Sequence, residues 1–285
     1  MAALWVRPVL RFMVYLHPFS QFSSRSDQLA VVSSKLACII CAMIALTGCV
    51  TTTFEGEESF DRQRAVDANI ALGMSYLKAD NRESALRSFN KALKLDSKSV
   101  KAYQGMAMIH ERSKEYSLAE KRYLESIKYA DGELLEDVRV DYARMLKQNG
   151  QCKKALPVFD SVAANVNYPK RYVALYLKGM CLLSQGEGEL GQAALSYAFS
   201  VNPKFTPSAI ELAELAIAEK DYAAAKRYID AHDRYASASA RSLWYNIQIE
   251  RIFDNMDRAA SLGLQLEDRF PYSNETLMYK QSLKR

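Results

Sequence analysis

The chain has 285 residues, of which 49% are apolar and 25% charged. This is enough apolar material for one large or two small cores, and it excludes the low-hydrophobicity composition of a disordered chain. Formal charge is +5, but residues 1–48 hold four of the 38 basic and one of the 33 acidic side chains, so the remainder stands at 34 to 32 and lacks the basic footprint of a nucleic-acid binder.

In chain order, residues 1–48 read as a signal peptide with an N-terminal extension. The stretch "RSDQLAVVSSK" is ordinary polar sequence, the natural start is expected near Leu29 to Val32, and residues 1 to about 30 stay out of the fold reasoning. Lys35 then opens an uncharged run to Leu46, the positive n-region and apolar h-region of a secretory signal. About 20 residues are needed to span a bilayer as a helix, and this run is shorter. It closes on Leu46, Thr47, Gly48 and Cys49, "LTGC", which resembles a bacterial lipobox. In that motif the Cys49 thiol accepts a diacylglyceryl group and cleavage occurs before it. The other reading is an uncleaved anchor or a buried helix with a chance cysteine. Processing at Cys49 leaves Cys152 and Cys181 as the two remaining cysteines.

Residues 49–65 follow as a lipidated cysteine and flexible tether. "VTTTFEGEESFDRQR" is polar and carries no sustained period, and extended it reaches roughly 50 Å.

Residues 66–285 repeat. Counting from Val66, Leu72 and Gly73 fall at positions 7 and 8, Tyr76 at 11, Ala85 at 20, Phe89 at 24 and Ala92 at 27. These are signature positions of a tetratricopeptide repeat. The phase recurs from Val100 (Met106, Ala107, Ala119, Tyr123), from Glu136 (Tyr142, Ala143, Ala155, Phe159) and from Tyr172 (Gly179, Leu182, Leu195, Ala198). It recurs again from Thr206 (Leu212, Ala213, Ala225, Ile229) and, degenerately, from Ala240 (Ala259, Pro271). The small residues at 8 and 20 let the two helices of a unit approach, the large ones fill the remaining space, and stacked units bury what one pair leaves open. The expected fold is all-α, a right-handed superhelical solenoid of about six such helix-turn-helix repeats.

Chemistry-bearing motifs are weak. "GEGELG", Gly186 to Gly191, matches a dinucleotide fingerprint but falls on a helix-helix turn rather than after a strand. His17, His110 and His232 are the only histidines, and no metal-ligand spacing occurs, so neither enzyme chemistry nor a cofactor nor a metal is expected. Cys152 and Cys181 are compatible with a disulfide and equally with two separate small core residues.

The inner face of such a solenoid is lined by positions 2, 5, 9, 12 and 13 of each first helix. Here these include Met74, Leu77, Met108, Arg144, Tyr176, Met180, Ile210, Ile217, Trp244 and Gln248. Apolar side chains at positions that normally face solvent point to a groove for an extended or helical peptide, with methionines supplying adaptability. A phase error of one residue is the competing reading, since it moves some of them into the core.

"ARSLWYNIQIERIFDNMDRAASLGLQLEDRFPYSNE" (Ala240 to Glu275), "VNYPKRYVALYLKGMCLL" (Val166 to Leu183) and "LTGCV" together resemble the type IV pilus biogenesis lipoproteins, the PilF/PilW pilotin family. The chain departs from the pattern in its long N-terminus, in Gly191 at position 20 of the fourth unit, and in a looser turn expected over Glu187 to Gly191. The resemblance implies an outer-membrane lipoprotein facing the periplasm. It implies a protein partner, the pilus secretin, whose outer-membrane localisation and multimerisation this chain promotes. Val50, where an aspartate would retain the protein at the inner membrane, implies the outer-membrane destination. The implied partners are thus a protein and a lipid anchor, with no nucleic acid or small-molecule substrate. The alternative is a repeat lipoprotein adaptor in outer-membrane barrel assembly or cell-wall remodelling.

Overall fold

The computed structural model describes residues 55–284. The signal segment and the lipobox Leu46, Thr47, Gly48 and Cys49 lie outside the described residues.

Six antiparallel helix pairs follow one another. They are α1 (Glu55–Lys78) with α2 (Arg82–Leu95), α3 (Val100–Arg112) with α4 (Tyr116–Tyr129), and α5 (Gly132–Gln148) with α6 (Cys152–Ala164). Next come α7 (Arg171–Ser184) with α8 (Gly188–Val201), α9 (Thr206–Ala218) with α10 (Tyr222–Tyr235), and α11 (Ala240–Ile252) with α12 (Met256–Arg269). A single helix, α13 (Asn274–Ser282), ends the stack. The fold is a tetratricopeptide solenoid, all-helical among the described residues. Contacts between the first helices of successive pairs, α5 with α7, α9 with α11 and α11 with α13, place these helices on the tighter, inner side.

Two elements start earlier than periodicity predicts. Helix α1 begins at Glu55, inside the stretch read as a tether, and α5 begins at Gly132, four residues before Glu136. Apolar period detects only burial, and residues 59–64 of α1 are exposed. They are held by local pairs instead: Asp61 with Arg64 at 3.8 Å, Gln63 donating to Asp67 at 3.2 Å, and Arg64 over the Phe60 ring.

One device sets the phase of all six pairs. The residue at position 15 of each unit adopts a left-handed backbone: Asp80 (φ 56°), Lys114 (58°), Gly150 (71°), Gly186 (83°), Lys220 (64°) and Asp254 (62°). The next residue then donates its N–H five residues back. These bonds run from Asn81 to Tyr76, Glu115 to His110, Gln151 to Leu146, Glu187 to Leu182, Asp221 to Ala216 and Asn255 to Glu250, all at 2.8–3.0 Å. This closes the first helix on its own carbonyls and launches the second at once. The fourth turn is no looser than the others, because Gly186 takes the same place and Gly188 already opens α8.

Close approach comes from small residues. The Phe89 ring, fully buried, fills the space beside Gly73 and Gly105, where an added Cβ would come within 2.7 and 2.3 Å of it. Gly191 at position 20 of the fourth unit faces Gly179 at position 8. A Cβ on Gly179 would sit 3.0 Å from the carbonyl of Gly191, so the backbones of α7 and α8 touch. Between the third and fourth pairs, the Sγ atoms of Cys152 and Cys181 are bonded, with Cα atoms 5.5 Å apart.

Lys220 is exposed and left-handed, a conformation that costs a non-glycine residue about 1–2 kcal/mol. Lys220→Gly should raise stability by about 0.5–1 kcal/mol after the extra freedom of glycine in the unfolded chain is subtracted, read as a higher urea midpoint. The disulfide closes a loop spanning 29 positions. Reduction should lower stability by about 3 kcal/mol, measured by urea unfolding with and without dithiothreitol.

Candidate protein-binding groove

The inner positions do not form one uninterrupted trough. The structure gathers them into two hollows and buries some of the rest.

The first hollow, about 400 Å³, opens between α1, α3 and α5 and brings together Leu77, Met108, Glu111, Arg112, Asp141, Arg144 and Gln148. Its polar wall is tied across units. Asp141 accepts from Gln104 Nε2 at 2.7 Å on one oxygen and from Arg144 Nη1 at 2.6 Å on the other. Tyr123, buried behind it, donates to Glu111 at 2.7 Å. Burial raises the Glu111 carboxyl above its ordinary range, partly countered by that hydrogen bond.

The second hollow, about 590 Å³, lies between α9, α11 and α13. Ile217, Trp244 and Met278 supply its apolar surface, with Glu214, Arg241, Tyr245, Gln248 and Glu275 around them. Arg241 forms two parallel bonds to Glu211, at 2.8 and 2.9 Å, a third from Nε to Tyr245 Oη at 3.1 Å, and a fourth contact to Glu214. Bidentate pairing to a carboxylate fixes the guanidinium plane. Burial pushes the Tyr245 hydroxyl up to about 12 and keeps it neutral. Burial also opposes ionisation of Glu214, but hydrogen bonds from Tyr245 and Arg241 outweigh it and hold the carboxyl below its usual range.

Of the ten expected groove residues, Leu77, Met108 and Arg144 thus meet in the first hollow and Ile217, Trp244 and Gln248 in the second. Ile210 does not line the groove. It is 8% exposed and packs in a core with Ala213, Tyr245 and Ile249, because α9 and α11 come close enough to cover position 5. Leu77 is likewise a core residue, 5% exposed, with only its edge in the first hollow. Met74 packs half-buried on the first core. Tyr176 leans edge-on against Phe205, ring centroids 5.4 Å apart, and Met180 is half-buried between the two hollows in sequence. A third hollow of about 650 Å³ lies at the turns beside Cys152, walled by Lys147, Lys153, Lys154 and backbone. None of the ten expected groove residues lines it.

Comparison with known proteins agrees with this architecture. The tetratricopeptide repeat family matches residues 70–133. The type IV pilus assembly protein PilF of Pseudomonas aeruginosa is 28% identical over 243 residues, spanning 85% of this chain and 96% of that protein. A solved structure of Pseudomonas aeruginosa PilF superposes with a TM-score of 0.68 at 26% identity, covering 78% of this chain and 99% of that one. This chain is a tetratricopeptide protein homologous to PilF. PilW, described as a widely conserved type IV pilus biogenesis factor, superposes with a TM-score of 0.62 at 25% identity, over 75% of this chain and 97% of its own.

Reading the pattern alone missed the contribution of α13. Its signal was present: Asn274 follows Ala240 by 34 residues, so Glu275 and Met278 fall at inner positions 2 and 5 of a seventh first helix that has no second. Ser273 caps it, accepting from the Thr276 N–H at 3.1 Å. Glu211 was missed as well, because its role depends on Arg241, 30 positions away.

Arg241→Met strips the cation from Glu211, whose side chain is 14% exposed, and from Glu214. The variant should lose about 2 kcal/mol at pH 7 by urea unfolding. Glu214, with its folded-state pKa depressed, contributes stability at neutral pH that disappears as pH falls through that depressed value. The gap between wild type and variant should therefore narrow in acid.

Proposed function

We propose that this chain is an outer-membrane pilotin: a lipid-anchored, non-enzymatic adaptor that holds the type IV pilus secretin on its inner face and promotes its localisation and multimerisation in the outer membrane. The carrying observation is homology to the type IV pilus assembly protein PilF across nearly that protein's whole length, on the same solenoid. It supports a role in type IV pilus biogenesis. The finer reading adds the two hollows, which combine apolar surface with fixed charges as a peptide-binding face requires.

The sequence "LTGC" supports the anchor. One acyl chain gives only marginal membrane attachment, at about 0.8 kcal/mol per buried CH₂, so stable anchoring requires more than one chain. A triacylated Cys49 meets that requirement, and Val50 is compatible with outer-membrane sorting. The solenoid then works within reach of the membrane, where secretin subunits assemble.

The test compares SDS-resistant secretin multimers in outer membranes from wild-type, deletion, Cys49→Ser and Met108→Gln cells. Multimers should vanish on deletion, form in the wrong membrane with Cys49→Ser, and fall several-fold with Met108→Gln while the purified variant keeps its helical circular dichroism. Unchanged multimers in the deletion strain would remove the secretin as partner and direct the search to barrel-assembly and cell-wall complexes.

A further inference from the structure

The second hollow has a charge balance of its own. Three carboxylates, Glu211, Glu214 and Glu275, stand against one guanidinium, Arg241, and that guanidinium is already saturated by Glu211, Glu214 and Tyr245. Glu275 has no hydrogen-bond or ion-pair partner among the described residues. The cation cannot turn outward to greet an acidic partner without giving up two parallel bonds. What the hollow presents outward is therefore negative. Between the carboxylates lies an apolar surface of Ile217, Trp244 and Met278, the indole being half-buried. Trp244 offers a π face to a cation as well as to an apolar side chain.

The geometry points to a docking site, closed by α13, for a peptide segment that presents a large apolar side chain beside a lysine or arginine. The apolar group seats among Ile217, Trp244 and Met278, and the cation lies between Glu214 and Glu275. The recognition is separate from that of the first hollow, where Arg112, Lys114 and Arg144 stand against Glu111 and Asp141 and the lining carries no excess of carboxylates. Here α13 is more than an end cap. It completes one wall of the site, supplying the unpaired carboxylate and one of the three apolar groups. The inference rests on the preceding reading only in taking a protein as the occupant of the inner face, and does not require that protein to be a secretin.

The chain's two tryptophans are Trp5 and Trp244, so the full chain carrying Trp5→Phe reports this hollow alone by fluorescence. Titration with a short synthetic peptide of leucine and lysine should give a saturable change in emission. The leucine and glutamate counterpart should bind roughly tenfold more weakly or worse, and the serine and lysine counterpart should lose affinity to a similar degree. Glu214→Gln with Glu275→Gln, which leaves Glu211 to hold Arg241, should cost roughly tenfold for the leucine and lysine peptide with circular dichroism unchanged. Equal affinity for the acidic peptide, equal affinity for the serine peptide, no loss in the double variant, or no saturable change overturns the inference. Such a failure alongside Cys49-dependent secretin multimers sinks this site alone. Carboxylate-dependent peptide binding alongside unchanged multimers upholds the site and sinks the secretin reading alone.

Discussion

Two helices of about 14 residues cannot bury their facing stripes unless the chain reverses within a few residues and the backbones then come close, and every helix pair in this solenoid meets the first condition in the same way. A left-handed residue at position 15 and a hydrogen bond five residues back make the reversal. Glycine or alanine at position 20 of every unit and at position 8 of the first five permits the approach, the sixth carrying Ile247 at position 8. The requirement is steric rather than chemical, which is why aspartate and lysine serve at position 15 in four units and glycine in two, the former at a cost of about 1–2 kcal/mol each. With the turn fixed, the angle between helices and the register of each pair on the next are fixed too, and the inner face inherits its spacing.

Contacts one unit apart then hold the stack. Arg82 meets Glu115, Tyr168 donates to Asp137, Asn165 donates to Glu136 and Arg241 clamps Glu211, at separations of 29 to 33 positions. A solenoid has no contacts between distant parts of the chain, so its stability is a sum over neighbours and each such bond acts on one joint. The disulfide reinforces the joint between the third and fourth pairs, midway along the stack. At the C-terminal end α13 covers the face that a seventh pair would otherwise bury: Tyr279 packs on Gly263 and joins the last core with Leu243, Ile247 and Leu266.

On the proposed reading, function follows from what the inner helices leave uncovered. Where neighbouring first helices press together, as at Ile210, an apolar inner residue becomes core and is lost to a partner. Where they part, as around Met108 and Trp244, it remains as groove lining, and the polar side chains beside it are locked into position by bonds across units. On the proposed reading, charges fixed in this way would select a partner without reorganising to meet it, which reduces the entropic cost of binding.

Much of this was legible in order along the chain. The repeat phase follows from the spacing of small and large residues, because close helix approach demands them wherever the fold occurs. The inner positions follow from the phase, and six of the ten expected groove residues fall in the two hollows. The early start of α1 was not legible, since solvated turns leave no apolar period, and α13 went unread because a lone helix lacks the pair that marks a repeat. The sequence by itself determined the repeat, its phase and which helix faces turn inward, since these depend on local spacing. Only the tertiary structure decided which inward residues stay exposed, that Cys152 and Cys181 join, and that Arg241 is saturated while Glu275 is not. Those outcomes depend on distances between residues about 30 positions apart, which pattern along one chain does not encode.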